Sequence, residues 1–331
     1  MKKNNIDKLM TLNFWRMCMA NFLLYASVYL FLPFLPELMH VRLGEPWEMA
    51  TYLCLLFVAG QFVMGPLYAH LVDAYKRKSV LLYASLGVMM CMVGYVMAAD
   101  FWQWLVLALV QGACFGVATA AGITLAIDVT HSSRRSDGNA VYAWMGRAGL
   151  LAGALVALLT HSVLDVRTLV YGTVACSVLS LLFVLRVHVM FRAPIGLPLF
   201  SLDRFLLPRA WLPALNVALI AFVPGMLMPL LPRGQYGALL GLAVLLFLIL
   251  SFTKMFVRLS DHCQRSTANT TCQLAVETGL VAGMALACRY LGELSVPALV
   301  AHLLPWVGGV SLAAFVLLTP TYLYYKKKRV R

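Results

Sequence analysis

Charge is what this chain has least of. Asp, Glu, Lys and Arg together make up 12% of its 331 residues, about half the share of a soluble domain, and only 13 of them are acidic. That scarcity excludes an ordinary soluble globular protein. The eight cysteines show no metal-ligand spacing and nearly all fall within apolar runs. They read as small apolar fillers, not as a zinc site or a disulfide framework. No glycine-rich phosphate loop follows a strand, no Ser/His/Asp arrangement is discernible, and the seven histidines lie at the ends of apolar runs or between them. An ATP-driven pump or a hydrolase lacks the residues it would need, so no enzymatic activity and no cofactor are expected.

Apolar residues fill the space that charge leaves, at 62% of the chain with a mean hydropathy of +0.84. A spanning helix takes about 20 mainly apolar residues. Ten such runs are present, at 11–36, 47–72, 79–99, 101–127, 139–162, 167–187, 208–231, 234–257, 268–291 and 296–324. Runs of this length are helices; barrel strands are about half as long and alternate. The expected fold class is therefore an all-α polytopic membrane protein of about ten transmembrane helices. The first run follows a basic start, as in a signal peptide, but is too long and lacks a small-residue cleavage site, so it reads as the first span.

The net charge of +13 would suit nucleic acid, yet its distribution points elsewhere. The loops and span ends on the side carrying the N-terminus hold 21 Lys and Arg against 6 acids, and the opposite side holds 4 against 6. This is the positive-inside pattern, which places both termini in the cytoplasm and predicts a multi-pass protein of a bacterial inner membrane. Anionic lipid heads, not nucleic acid, are the expected partners of the basic excess.

Two stretches repeat. Without gaps, "RSDGNAVYAWMGRAGLLAGALVA" (135–157) aligns with "RSTANTTCQLAVETGLVAGMALA" (265–287) at an offset of 130, sharing R-S-x-x-N and the spaced glycines. A weaker trace joins Asn21 and "PFLP" (33–36) to Asn216 and "PLLP" (229–232) at an offset of 195 to 196. The offsets differ by about 65 residues, the length of two spans with their connections. The second half is thus expected to lack two helices, giving a six-helix bundle (1–190), a cytoplasmic linker (191–207) and a four-helix bundle (208–331).

The stretch "GPLYAHLVDAYKRKSVLL" (65–82), between the second and third spans, resembles the loop signature of the major facilitator superfamily of secondary transporters. Gly65, Asp73, Arg77 and Lys78 carry it. The loop "DVTHSSRRSDGNA" resembles that family's second such loop, and "GRAGLLAGALVAL" keeps the spaced glycines of the efflux branches' fifth-helix motif without its proline. Gln111 and Gly112 match a fourth-helix motif, although Ala108 stands where that motif has an arginine. The resemblance implies that the missing pair is the family's eighth and ninth helices. It also places Asp73 beside the helix beginning at "STANTT" (266–271), whose hydroxyls and dipole suit a cytoplasmic gate latch. Arg77 and Lys78 would meet lipid phosphate or helix C-termini; the alternative is that "KRK" is only a topogenic loop.

Two charges fall inside spans, and the 130-residue offset carries one, Arg147, onto the other, Glu277. Each lies twelve residues beyond its matching basic-end arginine, Arg135 or Arg265, roughly 18 Å deep at about 1.5 Å per residue. A charge at that depth costs at least about 2.5–3.5 kcal/mol unless paired or wetted. Three readings stand. The two can face a central cavity in which Glu277 changes protonation or partner and couples transport to protons, since burial favours the neutral carboxyl and a nearby arginine the charged one. They can form a permanent structural ion pair. Or a neutral Glu277 leaves Arg147 to bind an anionic substrate or lipid head. Asn21, Tyr25, Gln61, Gln111 and Asn216 are further candidates for the cavity wall, each open to a plain interhelical hydrogen bond instead.

The sequence thus predicts a secondary transporter working by alternating access on a small organic solute. Proton-coupled export of amphiphilic compounds leads, because the first half most resembles the efflux branches and polar residues in the spans are sparse. The alternative is a non-transporting scaffold that keeps the fold to bind a partner. Loss of two helices would bare the flank of the fifth span around Arg147, so a homodimer covering that flank is expected.

Overall fold

The computed structural model describes residues 9–160, 166–189, 198–202, 205–233, 236–261, 264–291 and 295–328. The basic ends 1–8 and 329–331 and linker residues 190–197 and 203–204 lie outside them. Among the described residues ten long helices follow one another. They are α1 (Leu12–Leu43), α2 (Trp47–Ala74), α3 (Arg77–Met97), α4 (Phe101–Asp128), α5 (Arg135–Thr160) and α6 (Val166–Leu185). After the linker come α7 (Trp211–Leu227), α8 (Tyr236–Leu259), α9 (Arg265–Arg289) and α10 (Val296–Lys328). They fall on the ten apolar runs. Nine are long and apolar enough to cross a membrane, and α8, at 24 residues, supplies the tenth run.

Proline shapes the helices from within. α1 tightens to a 3₁₀ turn at Leu32–Phe34, where Pro33 removes an amide donor, and α2 does the same at Gly65–Leu67 around Pro66. Gly44 closes α1 with φ +69°, a conformation that costs a residue without Cβ little. Another 3₁₀ segment, Met228–Arg233, continues α7. It packs against Leu32–Phe34 across the molecule, so the two proline motifs of the weaker repeat meet. Phe31, Leu32, Met228 and Leu231 are buried there and make that end of the bundle an apolar plug.

In the first bundle α1 packs along α5 and α6, α2 along α4, and α3 against α4 and α6; in the second, α7 packs along α9, α8 and α10. The two pairs α1–α5 and α7–α9 are built alike. A Cβ on Gly149 would lie 2.1 Å from the Phe22 carbonyl oxygen, and one on Gly153 2.5 Å from that of Ala26. In the second pair, Gly279 stands 2.2 Å from the Ala218 oxygen and Gly283 2.0 Å from that of Phe222 by the same measure. Only glycine permits such backbone approach. The repeat offset of 130 carries the first two glycines onto the second two, so the internal repeat is a repeat of packing.

The bundles join where α9 lies against α2 and α4 and where α8 lies against α5. That second contact corrects an expectation. Trp144 of α5 meets the ring of Phe247 of α8 at 6.3 Å, and Arg147 is only 5% exposed. The flank around Arg147 is not bare, because α8 covers it, and the argument for a homodimer from an exposed Arg147 does not hold. α10 is the helix most open to its surroundings, with Leu304, Leu312, Phe315 and Val316 exposed, as suits a face against hydrocarbon.

Candidate functional site

The two charges inside the spans meet. Arg147 on α5 and Glu277 on α9 come within 3.6 Å, Nη1 to Oε1, with side chains 6% and 1% exposed. Gln273, one turn before Glu277, bridges them: its Oε1 accepts from Arg147 Nη2 at 2.7 Å, and its Nε2 donates to Glu277 Oε1 at 2.6 Å. The Tyr29 hydroxyl of α1 donates to Glu277 Oε2. The carboxylate is thus held on both oxygens, while Arg147 Nη1 makes no hydrogen bond. Three helices from both bundles converge on one acid. Burying this pair costs desolvation that only such completed hydrogen bonding offsets, and losing one partner costs about 3–5 kcal/mol.

Arg147 also lines a cavity of about 30 Å³, room for about one water, between the bundles. The walls repeat as the sequence does. Asn139 and Asn269, Tyr142 and Cys272, and Ala143 and Gln273 all line it, each pair related by the 130-residue offset, so the same faces of α5 and α9 look at each other across the space. Asn139 is 5% and Asn269 8% exposed, and each leaves one amide atom, Nδ2 and Oδ1 respectively, without a partner. Asn21 of α1, also in the wall, donates to the Tyr142 carbonyl at 2.9 Å. Tyr25, Thr119 and Thr253 add hydroxyls to the wall, and Ile123, Gly146 and Cys272 give it an apolar share.

The other sequence candidates lie apart. Asn216 donates to the Ala314 carbonyl of α10 at 3.0 Å and is not in the cavity wall. The glycine contacts give the physical reason: they pair Phe22 with Ala218 and Ala26 with Phe222, an offset of 196, which carries Asn21 onto Val217. The match of Asn21 to Asn216 is one residue out of register, and one residue turns a helical side chain by about 100°. Gln61 and Gln111 are buried on α2 and α4, each with its amide nitrogen unpartnered, but neither lines the cavity.

At the basic end the loop motif forms a charge cluster. Arg77 donates to Asp73 at 2.6 Å and to both oxygens of Asp128 at 2.6 Å. Lys78 donates to the carbonyls of Leu185 and Val187 at the end of α6, where a cation suits both the dipole and the open acceptors. Asp73 and Arg77 share a second cavity, about 460 Å³, with Ser266 and Thr267 at the start of α9, and Thr124 of α4 meets Ser266 at 2.9 Å. One detail differs from expectation: Gln264, not a hydroxyl residue, stands at the N-cap of α9 and makes no side-chain cap. Thr270 and Thr271 instead bond back to the Ser266 and Thr267 carbonyls.

Gly65 has a partner of its own. A Cβ there would strike the Phe205 ring at 2.1 Å, and that ring packs edge-on against Phe62 and Tyr68. The Ser201 amide donates to the Pro66 carbonyl and the Leu207 amide to Thr271 Oγ1 at 2.9 Å. The linker therefore straps α2 to α9 across the two bundles. Phe205→Ala is expected to loosen this end. A cysteine at Thr267 should then label with a charged maleimide several-fold faster, whereas an unchanged rate would show that the strap holds nothing shut.

Sequence reasoning missed Gln273, Tyr29 and the Asn139/Asn269 pair. The signal for the asparagines was present, since R-S-x-x-N marked the repeat. What was absent was any way to see that both copies face one space.

The Major Facilitator Superfamily profile matches residues 17–329, and the chain belongs to that family. No curated protein sequence matches it. Among solved structures it is similar to the nucleoside transporter NupG, with 13% identity, a TM-score of 0.60, and coverage of 94% of this chain and 99% of that one. A bacterial homolog to the human lysosomal transporter Spinster gives 14%, 0.59, and coverage of 96% and 98%. The human organic anion transporter MFSD10 (TETRAN) gives 16%, 0.56, and coverage of 92% and 99%. At these identities the likeness shows the fold.

Proposed function

We propose that the chain is a proton-coupled secondary transporter of a small polar organic solute, working by alternating access through the cavity between α5 and α9, with Glu277 as the group that takes and releases the proton. The observation that carries it is the network of Tyr29, Glu277, Gln273 and Arg147. It joins both bundles at the depth where a charge is most costly, and intramembrane ionisable groups in such a place mark a transport path. The basic end is the cytoplasmic one, with Lys326, Lys327 and Lys328 against anionic lipid. The closed cavity is then an occluded form, shut by the proline plug on one side and by the Asp73–Arg77–Asp128 cluster and linker on the other, which together serve as gates. The expectation of amphiphile export rests on the efflux-like first half and the sparse polar residues of the spans; the hydrogen-bonding side chains gathered at this cavity, Asn21, Asn139, Arg147, Asn269 and Gln273, favour a polar solute. The names of two similar structures, a nucleoside and an organic anion transporter, agree with a polar solute.

The test is flux in reconstituted vesicles under an imposed pH gradient, with labelled nucleosides and small carboxylates as solutes. Wild type should move a solute, stop when a protonophore collapses the gradient, and lose gradient-driven flux in Glu277→Gln while retaining exchange. If wild type moves none of them in either direction while correctly inserted, the partner-binding scaffold replaces the transporter.

A further inference from the structure

We infer that the solute is a compact organic anion carrying a hydrogen-bond donor next to its charge, and that it and the proton bind together, so that the two travel in the same direction. This rests on the transporter reading above. Of the two buried charges, only Arg147 reaches the cavity wall; Glu277 stands behind it, held by Tyr29 and Gln273. Among the described residues the unmet hydrogen-bonding capacity at the cavity is also specific: Arg147 Nη1, which stands 3.6 Å from Glu277 Oε1 without a hydrogen bond to it, and Asn139 Nδ2 are donors lacking an acceptor, and Asn269 Oδ1 is an acceptor lacking a donor. All three belong to residues more than nine-tenths buried. A carboxylate satisfies the two donors, and an adjacent O–H or N–H satisfies the acceptor. A neutral amphiphile satisfies none.

Gln273 links this site to the proton. A carboxamide has one accepting and one donating end, and here the accepting end serves Arg147 while the donating end serves ionised Glu277. When a proton from bulk water settles on Glu277 Oε1, that oxygen becomes a donor and requires an acceptor. The carboxamide turns over to supply one, which presents its N–H₂ to Arg147. Arg147 then loses both its acceptor and its counter-charge, and a substrate carboxylate in the cavity replaces them. Deprotonation reverses each step and expels the anion. The titratable groups facing Glu277 are Tyr29 and Tyr25 on α1 and Arg147 on α5, with Cys272 on its own helix beside Arg147. α7 has no titratable side chain, α2 brings Cys54 against Cys288, and Lys254 of α8 is exposed. In the closed form the cavity holds about one water, so the anion enters when α5 and α9 part.

The experiment is thermal unfolding of the full-length protein in lipid nanodiscs with three pools: 2-hydroxycarboxylates, their uncharged amides, and amines of matched size. Each is run at about pH 5.5 and about pH 8. The carboxylate pool should stabilise wild type with an apparent affinity roughly tenfold higher at the acid pH, a coupling of ordinary size for two linked sites. Glu277→Gln should bind carboxylates equally at both pH values, and Gln273→Met should bind them with the pH dependence lost. The double variant Arg147→Gln/Glu277→Gln leaves no orphan charge to unfold it and should bind none. Tighter carboxylate binding at the alkaline pH would make the proton a competitor and overturn common direction. Stabilisation by the amide or amine pool instead overturns the anion while leaving a transporter of another solute. No effect from any pool overturns both.

Discussion

Gly283→Leu is expected to remove nearly all folded protein from the membrane, while Gly308→Leu is expected to leave it in place. A Cβ at Gly283 would lie 2.0 Å from the Phe222 carbonyl oxygen and 2.9 Å from the Met226 amide nitrogen, both backbone of α7. Neither can rotate away, so α7 and α9 must part along their whole contact. Gly225 and Gly279 make approaches of 2.0 and 2.2 Å in the same seam, and a helix displaced at one glycine loses contact at the others. Overpacking a core costs about 1–3 kcal/mol and occasionally more. Here the clash is with backbone, and the helix it displaces, α9, also carries Glu277. Gly283→Ala should therefore lower the unfolding temperature clearly, and Leu should abolish the monodisperse peak in size-exclusion chromatography. Gly149 and Gly153 should behave alike in the first bundle. Gly308, with nothing within 4 Å, is the control, and Ala there should be neutral or stabilising by up to about 1 kcal/mol. Equal tolerance at Gly283 and Gly308 would show that the close seam is not what holds the second bundle.

The charge pair should give the second large effect, and an asymmetric one. Glu277→Gln is expected to cost about 3–5 kcal/mol, because a guanidinium cannot shed its charge and is left buried without a counter-ion. Arg147→Gln leaves a carboxyl that can accept a proton, so its loss should shrink as pH falls, when the neutral form is supplied. The double variant should unfold at a higher temperature than either single one, since both charges leave together. Thermal unfolding of the three proteins across pH tests the order. If all three match wild type, the 3.6 Å approach carries no stabilising energy, and the pair is held open by water or lipid in the membrane.

Much of this was legible beforehand because membrane helices obey a demanding local rule. With no water to satisfy the backbone, each span is a long apolar run bounded by polar residues, and the charge asymmetry of the loops orders them. The basic turn at Asp73, Arg77 and Lys78 was recognisable for the same reason, being local in sequence. The repeat at offset 130 named Arg147 and Glu277 as mates. In the weaker trace the proline motifs keep the structural offset of 196 and only the asparagines miss it, by one residue, because two asparagines coincide easily by chance while the glycine seam that fixes register is visible only when both helices are in place.

By itself, then, the sequence determined ten membrane helices, their internal repeat, the family, and the two charges that the membrane would not tolerate unpaired. Only the tertiary structure decided that those charges meet, that Gln273 bridges them while Tyr29 holds the other oxygen of Glu277, that Asn139 and Asn269 face one cavity, and that α8 covers α5 around Arg147. The division has a physical cause. Hydrophobicity and charge act residue by residue and leave their mark along the chain, whereas hydrogen bonds between helices depend on the rotation and depth of each helix, which small residues at distant contacts set together.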